Sequence, residues 1–298
     1  MTSTTDPELT PSSGHDDDVA GGEAPAHHDL TPPKVRPWWL HPKALIGAGI
    51  AIVVLAVLWR FGGGDVRFST DSRPAPGSTF DWSYFWALVP DMLRGLAVTV
   101  QATLAGFALA AVLGLVLAIA RRSTIKVISW PVAGFIEFVR STPLLIQLFF
   151  LYYVLPGWGF TMEALVTLIL GLGIHYATYA SEAYRAGIDS VPKGQWEATT
   201  ALNLGPITTW SSVIIPQAIP NVLPALGNNL IAAFKDAPLG ASIQVTGILA
   251  FATAAAGRSF DAGVEPYTLI GIGFLMVSIP SAFAVRRLEK RLAYERTN

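Results

Sequence analysis

From Ala44 onward the chain alternates long apolar runs with short polar segments. The first run, Ala44 to Trp59, is framed by Lys34, Arg36 and Lys43 before it and Arg60 after it, with Trp38, Trp39 and Trp59 near its ends. Basic flanks and terminal tryptophans suit a membrane interface, so residues 41–61 are expected to form an anchor transmembrane helix. A cleaved signal peptide shares this pattern, but the long leader before it and the missing small-residue cleavage site argue against one. Residues 62–87 are polar and rich in Gly and Pro, and read as an external loop. A second run extends from near Met92 to Arg121. In it Ala97, Ala102, Gly106, Ala110, Gly114 and Ala118 recur at about every fourth position, which lets helices approach closely in lipid. Further runs cover about 132–155 and 162–180. A fifth begins near Val222, is interrupted at Lys235-Asp236-Ala237-Pro238 and resumes to about Ala254; a sixth spans Tyr267 to Val285. The expected class is an all-α integral membrane protein with six transmembrane helices, the anchor plus a five-helix core within 88–292.

Composition supports that class. Only 14% of the 298 residues are charged and 52% are hydrophobic, whereas a soluble domain carries roughly 25% charged residues. Cysteine is absent, which excludes disulfides and thiolate metal sites. Before Lys34 stand seven acids and no Lys or Arg; the rest of the chain holds 20 bases against the 14 remaining acids. Residues 1–40 read as a disordered acidic tail. Its His15, His27 and His28 are read as solvated rather than as a metal site. Placing the N-terminus in the cytoplasm puts Arg121, Arg122, Lys126, the segment 181–216 and the basic C-terminal stretch inside, as the positive-inside tendency requires.

From Ser181 to Pro216 no apolar run is long enough to span, and short helices outside the bilayer are expected. Within it, Lys193 to Leu202 forms one short helix with a Lys193–Glu197 pair at i,i+4 spacing. Asn203 to Gly205 makes a turn, because Asn and Gly tolerate left-handed backbone. Pro206 opens a second short helix, which Pro216 is expected to end. A compact element that is polar on one side and apolar on the other can dock into a partner's groove, or can simply lie on the surface.

This loop resembles the coupling motif of binding-protein-dependent ABC importer permeases, a Glu-Ala-Ala triplet with Gly at the sixth position after Glu and an apolar-Pro pair near the nineteenth. Here Glu197-Ala198-Thr199, Asn203 and Ile215-Pro216 occupy those places, with Thr199 and Asn203 departing from the pattern. Arg140-Ser141-Thr142-Pro143-Leu144-Leu145-Ile146-Gln147 is similar to the Arg-x-Thr-Pro-Leu-Leu-x-Gln segment of the polar amino acid uptake subfamily. Lys235-Asp236-Ala237-Pro238-Leu239 is similar to its Lys-Asp-Thr-Ser-Leu segment. The run from Gly171 to Leu202 looks most like permeases for ectoine and hydroxyectoine.

The resemblance implies a bacterial inner-membrane permease subunit paired with a second permease, identical or related. It implies a dimer of ABC ATPase subunits that holds the ATP and magnesium, and an external solute-binding protein. It implies coupling to the ATPase through Glu197, Ala198, Thr199, Asn203, Gly205 and Pro216 in a loop over 190–217. No catalytic residue, bound cofactor, metal site or nucleic acid partner is expected, and the sequence has no Gly-rich Lys-Ser/Thr phosphate loop.

Polar residues within the spans need partners or a wet cavity. Glu137 and Arg140 lie three apart and are expected to pair or to reach the interface. Gln147, one turn beyond Pro143, either contacts solute or bonds between helices. His175 and Asn228 carry the same two readings. Lys235, Asp236 and Pro238 suggest a distortion near mid-membrane whose freed backbone lines a pathway, with Lys235 facing a solute carboxylate and Tyr152 or Tyr153 its cation. Two other classes compete, a secondary transporter working without ATP and a membrane scaffold that recruits a cytoplasmic partner.

Overall fold

A computed structural model describes residues 80–257 and 264–297, with side chains to residue 292. The acidic tail, the anchor 41–61, the loop 62–79 and His15, His27 and His28 lie outside the described residues. Those described are helical, without a strand. Three helices are long and apolar enough to cross a membrane, or five spans if each of two bent pairs counts as one.

Helix α1 (Trp82–Arg121) begins ten residues before the expected start. Asp81 caps it, Oδ1 accepting from Ser83 N at 2.8 Å and Tyr84 N at 3.2 Å. Asp91, just before the expected start of the run, is buried and paired with Arg94 at 2.9 Å. At 1.5 Å per residue α1 is about 60 Å long, well beyond the roughly 30 Å hydrocarbon core. Its small-residue stripe is buried throughout and rests on α4 (Ala164–Asp189). A Cβ on Gly106 would stand 2.9 Å from the Leu172 Cβ, and one on Gly114 only 2.6 Å from the Ala180 Cβ and 2.8 Å from the Ala177 carbonyl oxygen. The contact is backbone on backbone and cannot yield by a rotamer change. Gly114→Leu is therefore expected to cost at least the 1–3 kcal/mol typical of overpacking and to remove most folded protein from the membrane. Gly134→Leu, where a Cβ meets open space, is the control for expression and detergent melting temperature.

The run expected as one span over 132–155 is two helices, α2 (Lys126–Ser141) and α3 (Leu144–Phe149). The second continues through a π turn (Phe150–Val154) and a 3-10 turn (Leu155–Trp158), and the two halves meet at 104°. Pro143 lacks an N–H and holds Thr142 extended, at φ −108° and ψ 137°.

Helix α4 is the most deeply buried of the three long apolar helices. It runs nine residues past the point where a break was expected, through Glu182, Arg185 and Asp189 to its end. These charges sit at i, i+3 and i+7 on one face. Arg185 pairs with Glu182 and with Asp189 (3.4 Å), and Asp189 also takes Arg122 from the end of α1. Mutual pairing, rather than exit from the helix, satisfies them.

The loop then folds as expected into α5 (Lys193–Ala201) and a turn into α6 (Pro206–Thr208). Pro216 does not end the second helix. A π turn (Thr209–Ile214) leads directly into α7 (Ile215–Asp236), so Pro216 stands just after the π turn within the continued helix. Helix α7 stops at the anticipated interruption and passes into a 3-10 stretch (Ala237–Ile243). After Gln244 at φ +70° the chain re-forms helix as α8 (Ile248–Ala256), bent by 50°. Helix α9 (Val264–Thr297) closes the fold and is the least buried of the long helices. Thr99 ties α8 to α1, its Oγ1 accepting from Ile248 N and donating to Gly95 O, both at 3.0 Å.

Candidate functional site

Two features stand out, one at the loop between α4 and α7 and one halfway along α4. In the loop, Asn203 takes the left-handed conformation (φ +51°) that Gly would take. Leu202 N and Leu204 N return to Ala198 O and Thr199 O at 3.0 Å. Thr199 is buried, its hydroxyl bonded to Trp196 O at 2.8 Å. The small third residue of the triplet thus packs inward, beneath a Trp196–Trp210 edge contact with centroids 5.3 Å apart. Glu197, Ala198, Gly205 and Pro216 are exposed. So are two residues that the motif did not single out, Leu202 (71%) and Ile207 (85%). Apolar residues on both flanks of a polar turn were the available signal. Lys193 and Glu197 do not pair; Gln195 instead bonds Gln217 at 3.2 Å, drawing α5 against α7.

The second feature is a polar cluster where the two broken spans meet α4. The break at Pro143 strands carbonyls at the end of α2, and Gln147 reaches back to them. Its Nε2 donates to Val139 O (2.8 Å), Thr142 Oγ1 (2.9 Å) and Thr142 O (3.1 Å). Its Oε1 faces His175 Nδ1 at 3.3 Å. One residue on, the Tyr176 hydroxyl donates to Asp236 Oδ2 at 2.7 Å, at the last turn of α7. The rings of His175, Tyr176 and Tyr179 lie 5.3–5.8 Å apart. The Arg140 guanidinium stands 5.2 Å over Tyr179, an aromatic partner that neither expectation, pairing with Glu137 or reaching the interface, had named. A further link joins the two breaks, Tyr153 OH donating to Ser242 O (2.9 Å) and Tyr152 OH to Gln244 Oε1 (3.3 Å).

Of the expected pathway residues the fold therefore gathers Gln147, His175 and Asp236. Asn228 and Lys235 are exposed and bond to nothing among the described residues. Pro238 lies in the first turn of the 3-10 stretch. Tyr176, Tyr179 and Arg140 complete the cluster; only their aromatic and basic character within a span marked them in the sequence.

Long apolar helices, two broken spans and a helix-turn-helix loop define a multi-pass membrane permease. Residues 110–294 match the family described as the binding-protein-dependent transport system inner membrane component, and the chain belongs to that family, the permeases of ABC importers. Such a permease is not an enzyme; ATP hydrolysis lies in a separate subunit. Membership sets aside the secondary-transporter and scaffold readings. The chain is 43% identical over 206 residues to a probable amino-acid ABC transporter permease of Sinorhizobium fredii, covering 69% of this chain and 89% of that one. It is 30% identical to the L-cystine transport system permease TcyB of Bacillus subtilis, covering 73% and 95%. It is also 30% identical to the glutamine transport system permease GlnP of Escherichia coli, covering 72% and 98%. The crystal structure of an amino acid ABC transporter with histidines superposes with a TM-score of 0.68 at 30% identity, covering 72% of this chain and all of that one.

Proposed function

We propose that this permease conducts small zwitterionic solutes, polar amino acids or their cyclic derivatives of the ectoine type, with ectoine favoured. The observation that carries this reading is the polar cluster halfway along α4. Asp236 brings a carboxylate that accepts from a tyrosine hydroxyl, with no cation paired to it among the described residues. Lys235, one residue away and about 100° around the helix, carries an exposed ammonium. Opposite charges left for a ligand suit a molecule with one charge of each sign, and the relatives named above are amino-acid, cystine and glutamine permeases. The ectoine preference rests on the likeness of the 171–202 run.

The partners in this reading are a second permease copy or relative, two ATPase subunits and an external binding protein, with both termini of the chain in the cytoplasm. The exposed turn around Asn203 docks on the ATPase, with Glu197 on its rim. The test is ATP-dependent uptake of labelled ectoine and of a panel of polar amino acids in vesicles, with and without Glu197→Lys. Uptake of one of these labels, lost in an assembled Glu197→Lys complex, is expected. Uptake that survives without ATP, or undiminished in the variant, refutes the coupling. A label preference for amino acids over ectoine narrows the substrate to the former.

A further inference from the structure

The orientation of the Gln147 amide is set by its surroundings. Val139 O and Thr142 O are acceptors only, so the amide nitrogen must face them and Oε1 must face His175. An oxygen without hydrogen requires a hydrogen on the histidine, so Nδ1 carries it, and in the neutral imidazole Nε2 is then left as an acceptor. Nε2 makes no hydrogen bond among the described residues. It is not sealed either, because the sealed side-chain polar atoms without a partner are Arg185 Nε and Glu265 Oε2 among those residues, and His175 retains 8% exposure. Beside it, Tyr176 holds the Asp236 carboxylate at 2.7 Å.

We propose that His175 Nε2 is a specificity-determining acceptor that, with Asp236 as counter-charge, selects solutes whose cationic group bears an N–H. Primary ammonium and cyclic amidinium groups qualify, and trimethylammonium does not. The inference deepens the zwitterion reading above and rests on it. Gln147 acts as a positioning residue, converting the break at Pro143 into a fixed tautomer on the neighbouring helix.

In a complete importer the binding protein also discriminates, so the test uses permease and ATPase purified together without it. Equilibrium dialysis with labelled L-glutamine and labelled ectoine reads the site directly. The wild type is expected to bind one of them, with trimethylglycine displacing neither at hundredfold excess. His175→Asn keeps an N–H for Gln147 but removes the distal nitrogen. It is expected to bind at least tenfold more weakly with unchanged assembly. His175→Gln, which carries an amide oxygen out to the distal position, is expected to recover most of the loss. Wild-type affinity in His175→Asn, or displacement by trimethylglycine as effective as by the N–H solutes, overturns the selection. Neither result touches the importer reading, which stands on ATP-driven uptake. Absence of such uptake for every N–H solute in the wild type overturns both.

Discussion

Replacing Ile207 by aspartate is expected to abolish uptake and to release the ATPase from the permease during purification, while leaving the permease folded. Ile207 is 85% exposed and flanks the turn opposite Leu202, so neither side chain contributes to the fold of the free chain. Burying an isoleucine in a partner's groove is worth about 1.5–3 kcal/mol. A carboxylate in its place loses that and adds the cost of desolvating an unpaired charge, several kcal/mol. The sum is a loss of at least roughly a hundredfold in subunit affinity. Co-purification of the ATPase with the variant, measured beside Thr208→Asp at the exposed neighbouring position, checks it. Equal retention in the two variants would mean that this turn is not where the ATPase sits.

Gln147→Leu is expected to weaken both the fold and uptake. Leucine fills nearly the same volume, so no large cavity forms, but Thr142 O loses its side-chain donor and His175 Nδ1 its acceptor, while Val139 O keeps the Thr142 hydroxyl. Buried groups left unsatisfied cost about 1–3 kcal/mol each. In membranes the unfolded reference finds partners too, which lowers the figure, and a total of about 2 kcal/mol is expected. Unfolding in a denaturing-detergent titration should shift accordingly, and uptake should fall further than stability alone accounts for, because the α2–α3 bend is no longer fixed. Unchanged uptake and unfolding would reduce Gln147 to a bystander.

The difference between these two residues shows what a sequence displays and what it hides. The turn at Asn203 was legible because it is local: Asn203 adopts the left-handed backbone its type allows, and Pro206 opens the next helix. Pro143 was visible within the third run but the 104° turn it makes was not, since the angle depends on what the carbonyls find afterwards. What they find is a side chain four residues on, whose other end is fixed by a helix 28 positions away. Charges misled for the same reason. Glu182, Arg185 and Asp189 looked like the end of a span, yet they pair along one face and with Arg122. Ser83 and Asp91 hid the start of α1, because a cap and an ion pair absorb their polarity. Apolar runs locate spans; the partners of polar residues set where those spans begin, end and break.

The passage of the chain through Pro216 without a stop has a mechanical meaning. From Pro206, beside the exposed turn, to Asp236, bonded to Tyr176, the backbone is one unbroken helical run, roughly 45 Å long at 1.5 Å per residue. Such a run is a lever arm. Tilting it by about 10° around its middle carries each end some 4 Å, estimated from that length, more than a hydrogen bond can stretch. A push at the loop end would reach the far end of α7 as the parting of one tyrosine from one aspartate.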